Sequence, residues 1–264
     1  MPSHFSSIGF AIETEDDLEE VAPRMLETGE IISVKQGQYV RWTGGAGEEM
    51  WWQLQDDVVL GVNPHFAGKS STRVALQSRI QREEDTTALD GAFQAWVPMT
   101  GGGSEYPFVF DSPDALTYGD LEIPGLVEVQ LTAFAHDLDC HASAEAYDAS
   151  QAGQRPKRAS RSFIPTGLFA ADGSKAPIPE AHASFAGHVL EAATYKNALT
   201  GLPYHWALVD TLGARFDVVA DPSLLATAPI AGNVLSGTFW LSGRLLSYPR
   251  RQPGWFGKVQ RGTT

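Results

Sequence analysis

Between positions 136 and 141 the chain reads His136-Asp137-Leu138-Asp139-Cys140-His141, the densest run of metal-ligating and acid–base side chains in its 264 residues. On a strand, successive side chains alternate, so His136 and Cys140 share one face while Asp137, Asp139 and His141 share the other. That second face offers two carboxylates and an imidazole, a donor set suited to a divalent metal. Side chains two apart on a strand run parallel instead of converging, so an ion would need partners from elsewhere or a bulge. Without them the same residues make a solvent-facing strand. Cys140 and His141 point to opposite faces and cannot act as nucleophile and base by adjacency; a lone cysteine is more often an apolar core residue.

Other residues invite chemistry more weakly. His65, in Asn63-Pro64-His65-Phe66, and His205, in Tyr204-His205-Trp206, sit beside aromatic side chains that could tune an imidazole. They are the candidate acid–base residues, although neither has an orienting acid nearby in sequence, and His188 is a similar case. Trp51-Trp52 must send one indole to each side of a strand, which makes one of them a candidate ligand or interface ring. Arg155, Lys157, Arg158 and Arg161 concentrate positive charge in a short polar stretch, with Arg155 and Arg158 as candidate grips for an acidic group. Near the end, Tyr248-Pro249-Arg250-Arg251-Gln252-Pro253-Gly254-Trp255-Phe256 combines turn formers with rings, and Trp255 is a candidate subunit anchor.

Recognised signatures are missing. The glycine runs at 44–47 and 101–103 lack the lysine or spacing of a phosphate loop, and there is no Gly-Xaa-Ser-Xaa-Gly elbow, His-Glu-Xaa-Xaa-His helix or paired-cysteine knuckle. No cofactor is implied beyond the option of a divalent metal. Nineteen Lys and Arg against thirty-two Asp and Glu give a formal charge of -13, which opposes attraction to nucleic acid or anionic lipid. The single cysteine excludes an internal disulfide, and the first residues lack a basic, then apolar leader; both features point to a cytoplasmic location. No apolar run has the length of a membrane span.

The elements that would position these residues are mostly strands. Thr14 should cap a helix over 15–27, with Asp16, Asp17 and Glu19 at its positive end and Gly29 beyond its stop. A short strand is expected at 8–12, a four-strand meander at 31–34, 39–43, 50–54 and 58–62, and further strands at 73–82 and 93–99. Beyond a glycine-rich break at 100–105 come 106–110, a long bent strand over 126–142, then 183–195, 204–209, 214–220 and 234–246. Residues 149–162 read as an exposed loop.

The balance predicts a mainly β fold, with α+β as the alternative: a curved antiparallel sheet or β-barrel flanked by one N-terminal helix. The break suggests subdomains at 1–100 and 106–264 unless the chain is one continuous domain. The leading functional expectation is a non-enzymatic binding or structural protein that self-associates or takes a small molecule on an aromatic-lined surface. The alternative is a small-molecule enzyme, hydrolytic or metal-assisted, centred on Asp137, Asp139 and His141 with help from His65 or His205.

Overall fold

A computed structural model describes residues 3–82, 87–97, 106–168 and 178–249; the glycine-rich run at 101–103 and Trp255 lie outside these. The Thr14 cap forms as the sequence implies. Its hydroxyl accepts from the Asp17 N–H while the Asp17 carboxylate accepts from the Thr14 N–H at 2.9 Å, closing a capping box on helix α1 (Glu15–Thr28). Backbone donation from Glu13, then the Thr14 hydroxyl, holds the Asp17 carboxyl below its usual range. Gly29 follows in extended, not left-handed, backbone. Glycine is needed there because a Cβ would lie 2.5 Å from the Val40 side chain.

The segment 8–12 is not the expected strand. Ser6–Ile8 form a 3-10 turn and Gly9 takes φ 80°. Side chains meet its carbonyls where a neighbouring strand would have done: Asn197 Nδ2 donates to Ile8 O at 2.8 Å and Thr200 Oγ1 to Gly9 O at 2.6 Å. The alternation of Ile8, Phe10 and Ile12 therefore records insertion into the core, where all three are buried.

The meander forms a four-stranded antiparallel sheet in the order β1 (Glu30–Val34), β2 (Gly37–Thr43), β3 (Glu48–Gln55) and β4 (Val58–Phe66). Asp56 and Asp57, at φ 50° and 64°, make the two-residue turn between β3 and β4, the left-handed geometry that matches strand twist. The remaining strands are β5 (Thr72–Ile80), β6 (Ala92–Val97), β7 (Tyr106–Asp111), β8 (Gly125–His141), β9 (Ser162–Ile164), β10 (His182–Lys196), β11 (Pro203–Asp210), β12 (Arg215–Ala220) and β13 (Val234–Ser247). They form one nine-stranded sheet in the order β11-β12-β8-β5-β6-β7-β13-β10-β9, with additional β10–β11 and β8–β13 pairings. Strands from both sides of residues 98–105 belong to it, and β6 pairs directly with β7.

The fold is mainly β with a curved sheet, the first of the two forms expected, and not a single closed barrel. It is also not wholly antiparallel, since β12–β8 and β13–β7 are parallel. A second, short helix, α2 (Ala144–Ser150), follows β8, capped by the Ser143 hydroxyl. Among the described residues no helix is long and apolar enough to cross a membrane.

The two sheets meet through buried polar groups as well as apolar ones. His65 on β4 is wholly buried, with Nδ1 2.8 Å from Ser242 Oγ and Nε2 2.8 Å from Gln130 Oε1. Gln130 in turn donates to Asp217, whose carboxylate also accepts from the Lys69 and Ser70 N–H groups and the Trp206 indole, all at 2.8–2.9 Å. Gly68 permits this approach, because a Cβ there would sit 2.1 Å from the Asp217 carboxylate. Replacing Asp217 by Ala strips the acceptor from the buried Ser70 N–H and Trp206 indole and from the part-buried Lys69 N–H, while Gln130 keeps Phe66 O and Thr132 Oγ1, so urea unfolding should show a loss of about 3–5 kcal/mol. A change under about 1 kcal/mol would mean that the hub contributes little to stability.

Candidate functional site

The residues with unspent chemistry gather on the outer face of the nine-stranded sheet. Opposite β13, strand β8 carries a bulge: Thr238 faces Asp137 and Phe239 faces Ala135, so His136 is the extra residue. Beyond it Asp137 and Asp139 are exposed and Leu138 is buried, the alternation a half-buried strand requires. Cross-strand partners on one face lie side by side. The register builds one row from Asp137, Thr238 and Ser184, and the next from Asp139, Ser236 and Ala186.

A wall rises over this floor. Tyr147 of α2 packs with Ala186 and Val234 in a small apolar cluster apart from the main core, and its ring meets His141 edge-on at 5.1 Å. The loop after α2 is pinned by buried Gln151, whose amide accepts from the Arg158 N–H at 2.7 Å and donates to the Arg158 carbonyl at 2.9 Å. Arg158 Nη1 then donates to Ser184 Oγ at 2.8 Å. Floor and wall enclose an open cleft of about 710 Å³ into which Asp137, Asp139, His141, Arg155, Arg158 and Ser236 all face.

Within the cleft the polar groups differ in how far they are engaged. Asp137 accepts from the Thr238 N–H at 3.1 Å and from the Thr238 hydroxyl. His141 Nε2 lies 3.4 Å from Ser236 Oγ. Asp139 and Arg155 have no hydrogen-bond or ion-pair partner among the described residues. Among the described residues no group of three or more His, Cys, Asp or Glu side chains is placed to hold a metal ion, so Asp137, Asp139 and His141 share a face without converging. Cys140, on the other side of β8, points its thiol at Asn233 Oδ1, 3.3 Å away, and burial raises its pKa.

The other candidates lie elsewhere. Burial, with Arg244 nearby, pushes the His65 pKa well below its usual value; the imidazole is locked in the inter-sheet network and does not line the cleft. His205 Nδ1 is 2.9 Å from Thr194 Oγ1 on β10, and partial burial lowers its pKa. His188 is 3.1 Å from Ser160 Oγ. Trp51 and Trp52 do take opposite sides of β3, but both sides are covered. Trp52 joins the main core, while Trp51 packs with Tyr39 and Leu89.

The Trp51 indole donates to Glu49 at 2.8 Å and lies under the guanidinium groups of Arg244 and Arg41, 4.6 and 5.5 Å from the ring centre. Burial raises the Glu49 carboxyl pKa, a shift that Arg244 opposes. A further surface hollow gathers Arg73, Arg161 and Arg215. Its charge is compensated, since Asp210 pairs with Arg161 at 2.9 Å and Arg215 at 3.5 Å, and Glu128 faces Arg73 across the β5–β8 register.

Sequence reasoning missed Ser184, Ser236, Thr238, Tyr147 and Gln151. The small polar positions in the 234–247 run were visible as alternation, but their partners depend on a register that separates β8 from β13 by roughly a hundred residues. The cap of α2 was legible in Ser143 followed by Glu145, a standard N-terminal signal. The chain matches no protein-family model, no curated protein and no solved structure. Because Gln151 ties both the Arg158 N–H and carbonyl to the end of α2, Gln151→Ala should cost about 1–2 kcal/mol. Hydrogen exchange should speed up at the Arg158 amide while β13 keeps its protection; unchanged exchange at Arg158 would show that the loop is held otherwise.

Proposed function

We propose that the protein is a non-enzymatic binding protein whose β8–β13–β10 cleft takes a small zwitterion of the free amino acid type. The observation that carries this reading is the presence, in one concave surface, of two opposite charges without partners among the described residues, Asp139 and Arg155. Arg155, beside Arg158, supplies planar donors for a carboxylate, and Asp139 supplies an acceptor for an ammonium group. Ser184, Ser236 and Thr238 add hydroxyls to the lining. A cleft of about 710 Å³ lies within the range used for small ligands. It is open, so affinity would rest on these polar contacts more than on burial.

A hydrolytic reading has one observation in its favour, the 3.4 Å approach of His141 Nε2 to Ser236 Oγ, a base beside a hydroxyl. Native mass spectrometry with a pool of free L-amino acids separates the readings. Binding predicts a one-to-one adduct that is weakened at least tenfold in both Asp139→Asn and Arg155→Gln. No adduct from the pool, or variants that bind like the parent, would overturn it. Turnover of p-nitrophenyl acetate that is abolished in His141→Gln would favour hydrolysis instead.

A further inference from the structure

One row along the same sheet face from the cleft floor, where His182 pairs with Trp240, the bulged His136 meets two other histidines distant in sequence. The His4 ring stacks on Trp240, with centroids 4.3 Å apart and planes 12° apart, and stacks on His136 at 5.1 Å and 16°. His4 Nε2 is 2.9 Å from His136 Nε2. The His182 ring lies edge-on to His136 at 5.5 Å, and its Nδ1 is 3.0 Å from Glu180. We propose that His4, held by His136 and His182, is a proton-operated latch that keeps residues 3–6 closed over Trp240 near neutral pH and releases them on acidification.

The geometry sets the rule. Two Nε2 atoms at 2.9 Å share one proton, one ring donating and the other accepting. A second proton places two N–H donors against each other, with His182 as a third imidazole beside them. No carboxylate is bonded to His4 or His136 among the described residues. Asp137 is bonded to Thr238 on the cleft side, Asp111 accepts from the Trp240 indole at 2.6 Å and pairs with Arg82 at 2.8 Å, and Glu180 holds His182. From β4 only the uncharged Val62, Asn63 and Pro64 line the hollow beside the ring. Stacking on indole favours an imidazolium, yet burial first, then His136 and His182, bring the His4 pKa down from 6.5 to about 4. The folded chain thus binds fewer protons at His4 than the open one. The latch has its full strength above about pH 6.5 and loses it as pH falls toward 4.

Release is local, because Ser7 and Ile8 are fully buried and Ile8 is held by Asn197. Its reporters are the Ser7 and Ile8 amides, which donate to the Ser3 and Phe5 carbonyls. Between pH 7 and pH 5 their exchange protection, corrected for intrinsic rates, should fall about 20-fold in the parent protein. His4→Phe, which keeps a ring on Trp240 without a proton to gain, should abolish that fall. In histidine side-chain NMR titrations His4 should titrate well below 6.5, and His182→Gln should raise its value. A His4 titration at or above 6.5, or an equal loss of protection in His4→Phe, would overturn the latch.

Discussion

The antiparallel pairing of β8 with β13 is the contact on which the other strands depend. Each of these strands is long enough to serve two neighbours along its outer edge. On β8 that edge takes β5 at residues 125–129 and β12 at 132–134; on β13 it takes β10 at 234–240 and β7 at Ser242. Hydrogen bonding therefore returns on itself twice, through β5-β6-β7 and through β12-β11-β10, with β8 and β13 common to both paths. Long pairings of this kind accumulate twist, and the bulge at His136 is where the strand absorbs it. The same bulge lies between two environments on one face, with the histidine cluster gathered at it and the cleft carboxylates one row beyond.

Where the small sheet docks on the large one, the interior is strongly polar. Glu48 is wholly buried, yet it accepts from Tyr204 at 2.9 Å and the Ala198 N–H at 2.9 Å, and Arg244 joins Asp114 at 2.9 Å to Glu49 at 3.4 Å. Buried charges with complete sets of partners add modestly to net stability, but they penalise misalignment heavily, since a slipped register would strand each of them. Apolar contact holds the sheets together, and these groups fix how they sit.

Strand alternation and turn chemistry were local properties and could be read directly. The long strand expected at 126–142 runs Gly125–His141, and Thr14 caps α1 as its residue type implies. What failed was local pattern under non-local control: Ile8, Phe10 and Ile12 alternate as a strand does, but Asn197 and Thr200 satisfy their backbone. The ring positions of Trp51 and Trp52 followed from alternation, whereas the cover over the Trp51 side of β3 did not, because Leu89 and Leu116 reach it from distant loops. At the cleft, Asp137, Asp139 and His141 were singled out together, and so were Arg155 and Arg158. Only the register and the short α2 wall bring the two groups into one space. The His4–His136–His182 cluster had no sequence signal, since its members are spread from the N-terminal segment to β10.

The tight turn at Asp56-Asp57 also bears on how the molecules behave toward one another. It leads into β4, which pairs only with β3 among the described residues and leaves Val58, Val59 and Leu60 between 38% and 59% exposed. An apolar strand with an open edge is a template on which further chains can add. Two carboxylates at its entrance, on a chain of formal charge -13, set like charges against each other whenever two such edges approach. Colloidal stability is thus tied to ionisation. Near the isoelectric point of about 4.9 the electrostatic guard disappears while the sticky edge remains.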